Sequence, residues 1–221
     1  MASGLIGVRR RIVAAAERVG RDPAEITLVG VSKYADDGAI RAVHQEGLGD
    51  FGENRAAEFV ERAGLLPDAR WHFVGRLQGN KVRQVRPLTH LLHSLDRIDL
   101  AEYWVKGPGL PPPLLVQVNL AGEPQKAGVP AAGAGALVAA AERLGLEVVG
   151  LMTVPPAGGE PEASREWFRR LRQLRDELRE DHPAVTGLSM GMSDDFEIAV
   201  EAGATVLRVG RAIFGPFPAK G

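Results

Sequence analysis

Apolar runs along the chain alternate with helix-length amphipathic stretches. The run Ile26 to Lys33, ITLVGVSK, is β-branched and aliphatic until it meets one lysine. Period-two alternation puts Thr27, Val29, Val31 and Lys33 on one face and Ile26, Leu28, Gly30 and Ser32 on the other. Ahead of it, Leu5, Val8, Ile12 and Val19 recur among Arg, Ala and Glu, which predicts a surface-packed helix over 4 to 19, ended by Gly20 and Pro23. After it come a helix from Asp36 to Glu46, with acidic residues at its positive end, a short strand at 50 to 54 and a helix through Ala63. WHFVG (71 to 75) and LLHSLD (91 to 96) read as strands flanking the basic segment LQGNKVRQVR (77 to 86), which Pro87 ends. A helix candidate at 98 to 106 and the stiff turn GPGLPPP lead into the strand LLVQVNL at 114 to 120. An Ala-rich helix (131 to 145) and the strand EVVGLMTV (147 to 154) follow. A long helix from Ser164 to Glu180 then carries Trp167, Phe168, Leu171, Leu174 and Leu178 on one face. TGLSMG (186 to 191), a helix from Asp194 to Glu201 and TVLRVG (205 to 210) complete the series.

This even rhythm of eight strand candidates predicts an α/β fold, a closed parallel (β/α)8 barrel of the TIM type with an extra N-terminal helix, formed as one domain over residues 1–221. A doubly wound sheet is the runner-up, but no G-x-G-x-x-G follows the first strand.

Charge then narrows the function classes. Lys plus Arg number 27 against 28 Asp plus Glu, a formal charge of -1, so the surface has no global pull toward nucleic acid or an anionic membrane. Cys is absent, which removes disulfides, thiolate metal sites and cysteine nucleophiles. No apolar run reaches the roughly 18 residues that cross a bilayer, and the arginine-rich start lacks a secretory core. These features predict a cytoplasmic protein that binds neither nucleic acid nor membrane. No large apolar stripe is evident, which predicts a monomer.

In a parallel barrel the informative polar residues are those at strand ends, and here Lys33, Asn54, His72, Asn119, Ser189 and Arg208 are expected to converge. A partly dry lysine offers its amine to a carbonyl, whereas an inert lysine closing a strand is the plainer reading. Ser189 with Gly191, and Arg208 with Gly210, are expected to share strand faces, and such glycine turns suit a phosphate. Arg208 lies in an apolar strand and needs either a carboxylate or a ligand acceptor. His72 reads as a hydrogen-bonded barrel residue, because no metal-ligand spacing surrounds it. Met152 reads as core, and Asp194 and Asp195 as a helix start rather than paired catalytic acids. Extended geometry through Lys33 turns Tyr34 away from the site. The basic segment with Lys81, Arg83 and Arg86 reads as a solvated face, with anion binding as the lesser alternative.

Taken together, VGVSK, FGEN, WHFVGRLQGNK, LMTVP, LSMGMSDD and RVGRAIFG resemble, in this order and over essentially the whole chain, the pyridoxal 5'-phosphate-binding homeostasis proteins. The resemblance implies a barrel like the N-terminal domain of alanine racemase and a cofactor carrier in vitamin B6 homeostasis with no established turnover. It implies pyridoxal 5'-phosphate held on Lys33 as an internal aldimine. It also implies a phosphate cradle of Ser189, Gly191 and the backbone of Gly210 and Arg211, Arg208 at the pyridine nitrogen, and Asn54 beside the cofactor. Relatives commonly have a small hydroxyl residue where this chain has Arg211, which leaves the backbone N–H as the donor there. Transient contact with cofactor-dependent apoenzymes is the implied partnership. A cofactor-dependent amino-acid racemase is the alternative; it needs a second acid on the face opposite Lys33, which no second domain is there to deliver.

Overall fold

The computed structural model describes residues 4–156 and 158–215, so the ends of the expected domain lie outside the described residues. Eight parallel strands close on themselves: β1 (Thr27–Val31), β2 (Asp50–Glu53), β3 (Arg70–Phe73), β4 (Leu91–Leu95), β5 (Leu114–Asn119), β7 (Val148–Met152), β8 (Gly187–Ser189) and β9 (Val206–Val209). The circuit is completed by β4 pairing with β5 and β9 pairing with β1, while the two-residue β6 (Val129–Pro130) adds to the end of β5. Helices α2 (Asp37–Gln45), α3 (Ala56–Leu65), α4 (Val82–Val85), α5 (Ile98–Val105), α6 (Ala134–Arg143), α7 (Ser164–Leu178), α8 (Phe196–Ala202) and α9 (Arg211–Phe214) follow the strands in turn. The expected barrel is therefore borne out, including the extra helix α1 (Leu5–Arg18).

Helix α1 buries Leu5, Val8, Ile12, Ala15 and Ala16 against α8 and α9. Each larger aliphatic side chain so buried is worth roughly 1.5–3 kcal/mol. Its start is seated tightly: the Gly4 N–H donates to the Ile213 carbonyl at 2.9 Å, and a Cβ on Gly4 would fall 1.8 Å from the Ala212 oxygen.

The alternation expected for β1 is also present. A Cβ on Gly30 would meet Leu48 at 2.5 Å in the helix layer, whereas Val29 and Val31 flank Gly52 of the adjoining β2 on the other face, a Cβ there lying 2.9 Å from Val29. The strand stops at Val31, two residues earlier than expected, so Lys33 sits in a turn. Likewise β8 ends at Ser189 rather than Gly191, and the basic segment 77–86 is broken into a 3-10 turn (Gly79–Lys81), α4 and a second 3-10 turn (Arg86–Leu88) containing Pro87. In the GPGLPPP connection, Arg86 donates to the carbonyls of Val105 and Gly109, and the Trp104 indole donates to Pro112 at 3.1 Å.

Two contacts constrain the barrel walls. Strands β7 and β8 approach so closely that a Cβ on Gly150 would lie 2.2 Å from the Gly187 oxygen. At the amino-terminal rim, register partners Asp50 and Arg70 form a forked pair of 2.7 and 2.5 Å, and His72 Nε2 lies 3.1 Å from the same carboxylate. Burial pushes the Asp50 carboxyl up, but hydrogen bonds from His72 and Arg70 outweigh it and hold it at about 2, below its ordinary 3.8.

Gly150→Ala is expected to destabilise the barrel by about 1–3 kcal/mol, because the obstacle is backbone; an unchanged denaturant midpoint would reject the close approach. Asp50 has a lowered folded-state value, so its contribution is complete above the unfolded value near 3.8 and disappears as pH falls through about 2. Replacing Asp50 with Asn should therefore remove roughly 1–2 kcal/mol at neutral pH and flatten the stability profile between those values, read by urea unfolding across pH.

Candidate functional site

The turn after β1 presents Lys33 at the carboxyl-terminal mouth of the barrel, half-buried. A hydrogen bond from the Ala35 N–H to the Ser32 carbonyl, 2.8 Å, closes the turn. Tyr34 has φ +67, the single positive value for a non-glycine among the described residues. A β-carbon disfavours this conformation, so the surroundings must hold it. They do so from β2 and α3. Arg62 donates to the carbonyls of Ser32 and Ala35 at 2.7 and 2.8 Å, and the Ser32 hydroxyl donates to the fully buried Glu53 carboxylate at 2.7 Å. Arg62 also lies 3.4 Å from Glu53. Burial raises the Glu53 carboxyl above its ordinary value, with the Ser32 hydrogen bond and the Arg62 charge acting against it. The strained backbone corrects the expected direction of Tyr34, since its ring lies with its centroid 4.7 Å from Lys33 Nζ.

On the neighbouring strand β9, where it is in register with Val29, Arg208 is 5% exposed, and no carboxylate pairs with its guanidinium among the described residues. Its Nη1 donates to Ser189 Oγ at 2.5 Å and its Nη2 to the Thr153 carbonyl at 2.8 Å. Burial lowers it from 12.5 to about 10, with the more distant Asp195 charge acting the other way, so it remains a cation at neutral pH. The same Ser189 hydroxyl lies 2.8 Å from His93 Nδ1, and His93 Nε2 lies 3.0 Å from His72 Nδ1. A buried row thus runs from Arg208 through Ser189, His93 and His72 to Asp50. Burial above all, then the neighbouring His72 and Arg208, lowers His93 well below the ordinary imidazole value, so it is neutral. Arg208 donates into the row at Ser189, and the row links a buried cation to the rim carboxylate.

Near the start of α9, the Ala212 N–H donates to Ser193 Oγ at 3.2 Å. Amides in a first helical turn have no partner within the helix, so Gly210 and Arg211 bring backbone donors to the same place. The Arg211 side chain is exposed and pairs with Asp194, tying the loop after β8 to α9. Asp195 stands at the N-cap position of α8, consistent with the helix-start reading of the two aspartates, but its carboxylate makes no cap bond to the helix and instead accepts from the Met192 N–H at 2.7 Å and the Ser164 hydroxyl at 2.8 Å. Gly191 does not share a strand face with Ser189. Its φ is +88, and a Cβ there would meet Ala199 at 2.5 Å beneath α8.

Of the six residues expected to converge, Arg208 and Ser189 touch directly, and His72 joins them through His93 in a layer below the mouth. Asn54 follows β2, and its buried Oδ1 has no hydrogen-bond partner among the described residues. Asn119 is occupied with its own loop, donating to the Glu123 carbonyl at 2.9 Å and accepting from the Glu123 N–H. Met152 packs in the interior with Leu91 and Leu115. The expectations drawn from sequence omitted Glu53, Arg62, His93 and Ser193. His93 was legible as a polar residue in an apolar strand, and Ser193 lies within the motif LSMGMSDD, but nothing in α3 marks Arg62 as the clamp on a distant turn.

Comparison with known proteins places this arrangement. Residues 8–218 match the family described as alanine racemase, N-terminal domain. The pyridoxal phosphate homeostasis protein of Aquifex aeolicus is 43% identical over 215 residues, covering 94% of each chain. The structure of PipY from Synechococcus elongatus with pyridoxal phosphate bound is 33% identical, with a TM-score of 0.78 over 92% of this chain and 100% of that one. Alanine racemase from Corynebacterium glutamicum shares the fold, with a TM-score of 0.69 at 16% identity over 100% of this chain and 64% of that one. By its sequence, its barrel and the extent of these matches, the chain belongs to the pyridoxal phosphate homeostasis proteins, within the alanine racemase N-terminal domain family.

Proposed function

We propose that this protein binds pyridoxal 5'-phosphate at the carboxyl-terminal mouth and acts as a cofactor carrier in vitamin B6 homeostasis, limiting the free cofactor rather than turning over a substrate. The carrying observation is the buried Arg208 cation, which among the described residues meets only neutral acceptors and therefore has donor capacity for a ring nitrogen. The PipY structure with pyridoxal phosphate bound supports the same reading.

The donor set fits the cofactor. Lys33 supplies the amine for a covalent link to its aldehyde, and the clamp of Arg62, Ser32 and Glu53 holds the turn that aims that amine. Ser193 and the backbone of Gly210 and Arg211 supply the phosphate donors. Ser189 and Gly191 serve that end indirectly, the first by orienting Arg208 and the second by turning the chain toward Ser193. Asn54 borders the ring with an acceptor that needs a partner. When bound, the cofactor supplies an electrophilic aldehyde and an aromatic electron sink. Arg208 remains protonated at neutral pH and gives up no proton to the ring nitrogen, which leaves that sink weak and favours retention over carbanion chemistry.

The chain works as one domain, monomeric and cytoplasmic, and hands its cofactor to apoenzymes in transient contacts; neither nucleic acid nor membrane is a partner. Among the described residues no helix is long and apolar enough to cross a membrane.

Borohydride reduction of the cofactor-loaded protein followed by peptide mapping is expected to place the pyridoxyl group on Lys33, and label scattered over surface lysines would sink the assignment. In spectrophotometric titrations Ser193→Ala should weaken cofactor binding about tenfold, the cost of one hydrogen bond to a charged group. Arg208→Met should instead move the visible absorbance band. Affinity unchanged in the first variant and a spectrum unchanged in the second would reject both roles.

A further inference from the structure

Beside the mouth, on the side of β2, β3 and β4, a cleft of about 690 Å³ opens between the start of α3, the segment 76–81 and the start of α5. Its polar lining is Asn54, Arg55, Arg76, Gln78, Lys81 and Arg97, and no carboxylate lines it. Buried Phe73 and Leu77 form its floor.

The four cations are incompletely neutralised. Arg55 pairs with Glu58 at 2.9 Å, and Arg97 holds Asp96 at 2.5 Å while donating to the Leu77 carbonyl at 2.9 Å. Arg76, 71% exposed at its side chain, reaches only the Asp96 that Arg97 already holds, at 3.8 Å. Lys81 is half-buried and makes no ion pair among the described residues. Two carboxylates, both outside the lining, thus face four cations. An ammonium without a counter-charge, set among guanidinium groups in a cleft, favours the approach of an anion.

The shape favours a small ligand over a polymer. The volume lies in the range of small-molecule sites, roughly 300–1,000 Å³, and no exposed aromatic in the lining offers a stacking surface for bases. Charge density concentrated on three guanidinium groups and an ammonium suits phosphate oxygens. We propose that this cleft is a second anion site that takes a small phosphorylated metabolite of two or more negative charges, separate from the Ser193 and α9 end of the cofactor site. The inference does not depend on the carrier reading, because none of its cations belongs to the proposed cofactor contacts.

The test is a titration of the full-length, cofactor-saturated protein with sodium pyrophosphate at constant ionic strength, followed by amide chemical shifts. Saturable shifts are expected at Arg55 to Ala57 and Gln78 to Lys81. An Arg76→Gln, Lys81→Met double variant should weaken pyrophosphate binding at least about tenfold while leaving cofactor affinity unchanged. Should that variant misfold, Arg55→Gln alone should weaken binding at the same amides. Linear, non-saturating shifts, shifts confined to Gly210 to Ala212, or equal affinity in the variants would overturn the proposal. Tighter binding of a hexaglutamate peptide than of pyrophosphate would also overturn it, marking a protein-docking face instead. If the cofactor itself fails to bind, the residue-resolved shifts still report on the cleft, so the two readings fail separately.

Discussion

A guanidinium buried in a barrel without a carboxylate imposes conditions on everything around it. Ser189 and the Thr153 carbonyl accept from Arg208, and from Ser189 a hydrogen-bonded row leads through His93 and His72 to Asp50 at the opposite rim. Each member of that row comes from a different strand, so strand register and closure of the barrel determine whether the cation is tolerated at all. A carboxylate in the place of Ser189 would neutralise Arg208 and consume the donors that a ligand needs.

The Lys33 turn is the complementary constraint. Its strained Tyr34 is maintained by Arg62, Ser32 and Glu53, two of them supplied by elements outside the turn. A buried carboxylate whose value is raised by desolvation is costly, and that cost is offset by bonds that rigidify the segment presenting the amine. The amine is thus aimed by a polar cluster beneath it, not by the strand that precedes it.

Helix α1 extends the same dependence to the periphery. Its first residues bond to the end of α9, and the first turn of α9 reaches Ser193 through the Ala212 amide. The added helix therefore braces the α9 end of the candidate site from outside, while Arg211 and Asp194 tie that end across its surface.

The sequence by itself determined the alternation of eight strands with helices and the shared face of Thr27, Val29 and Val31, because hydrophobic periodicity is a local property that each segment carries alone. Its short motifs were specific enough, taken together, to identify the family. Where β1 and β8 stop, and hence that Tyr34 folds under Lys33 and that Gly191 turns away from Ser189, was decided by hydrogen bonds arriving from other strands and helices. That Ser189 accepts from Arg208, and that Ser193 meets the Ala212 amide, depended on distances between β8, β9 and α9. The same holds for Arg62 on α3 and His93 on β4: their partners lie 30 and 96 residues away along the chain, and only closure of the barrel brings them within hydrogen-bonding reach.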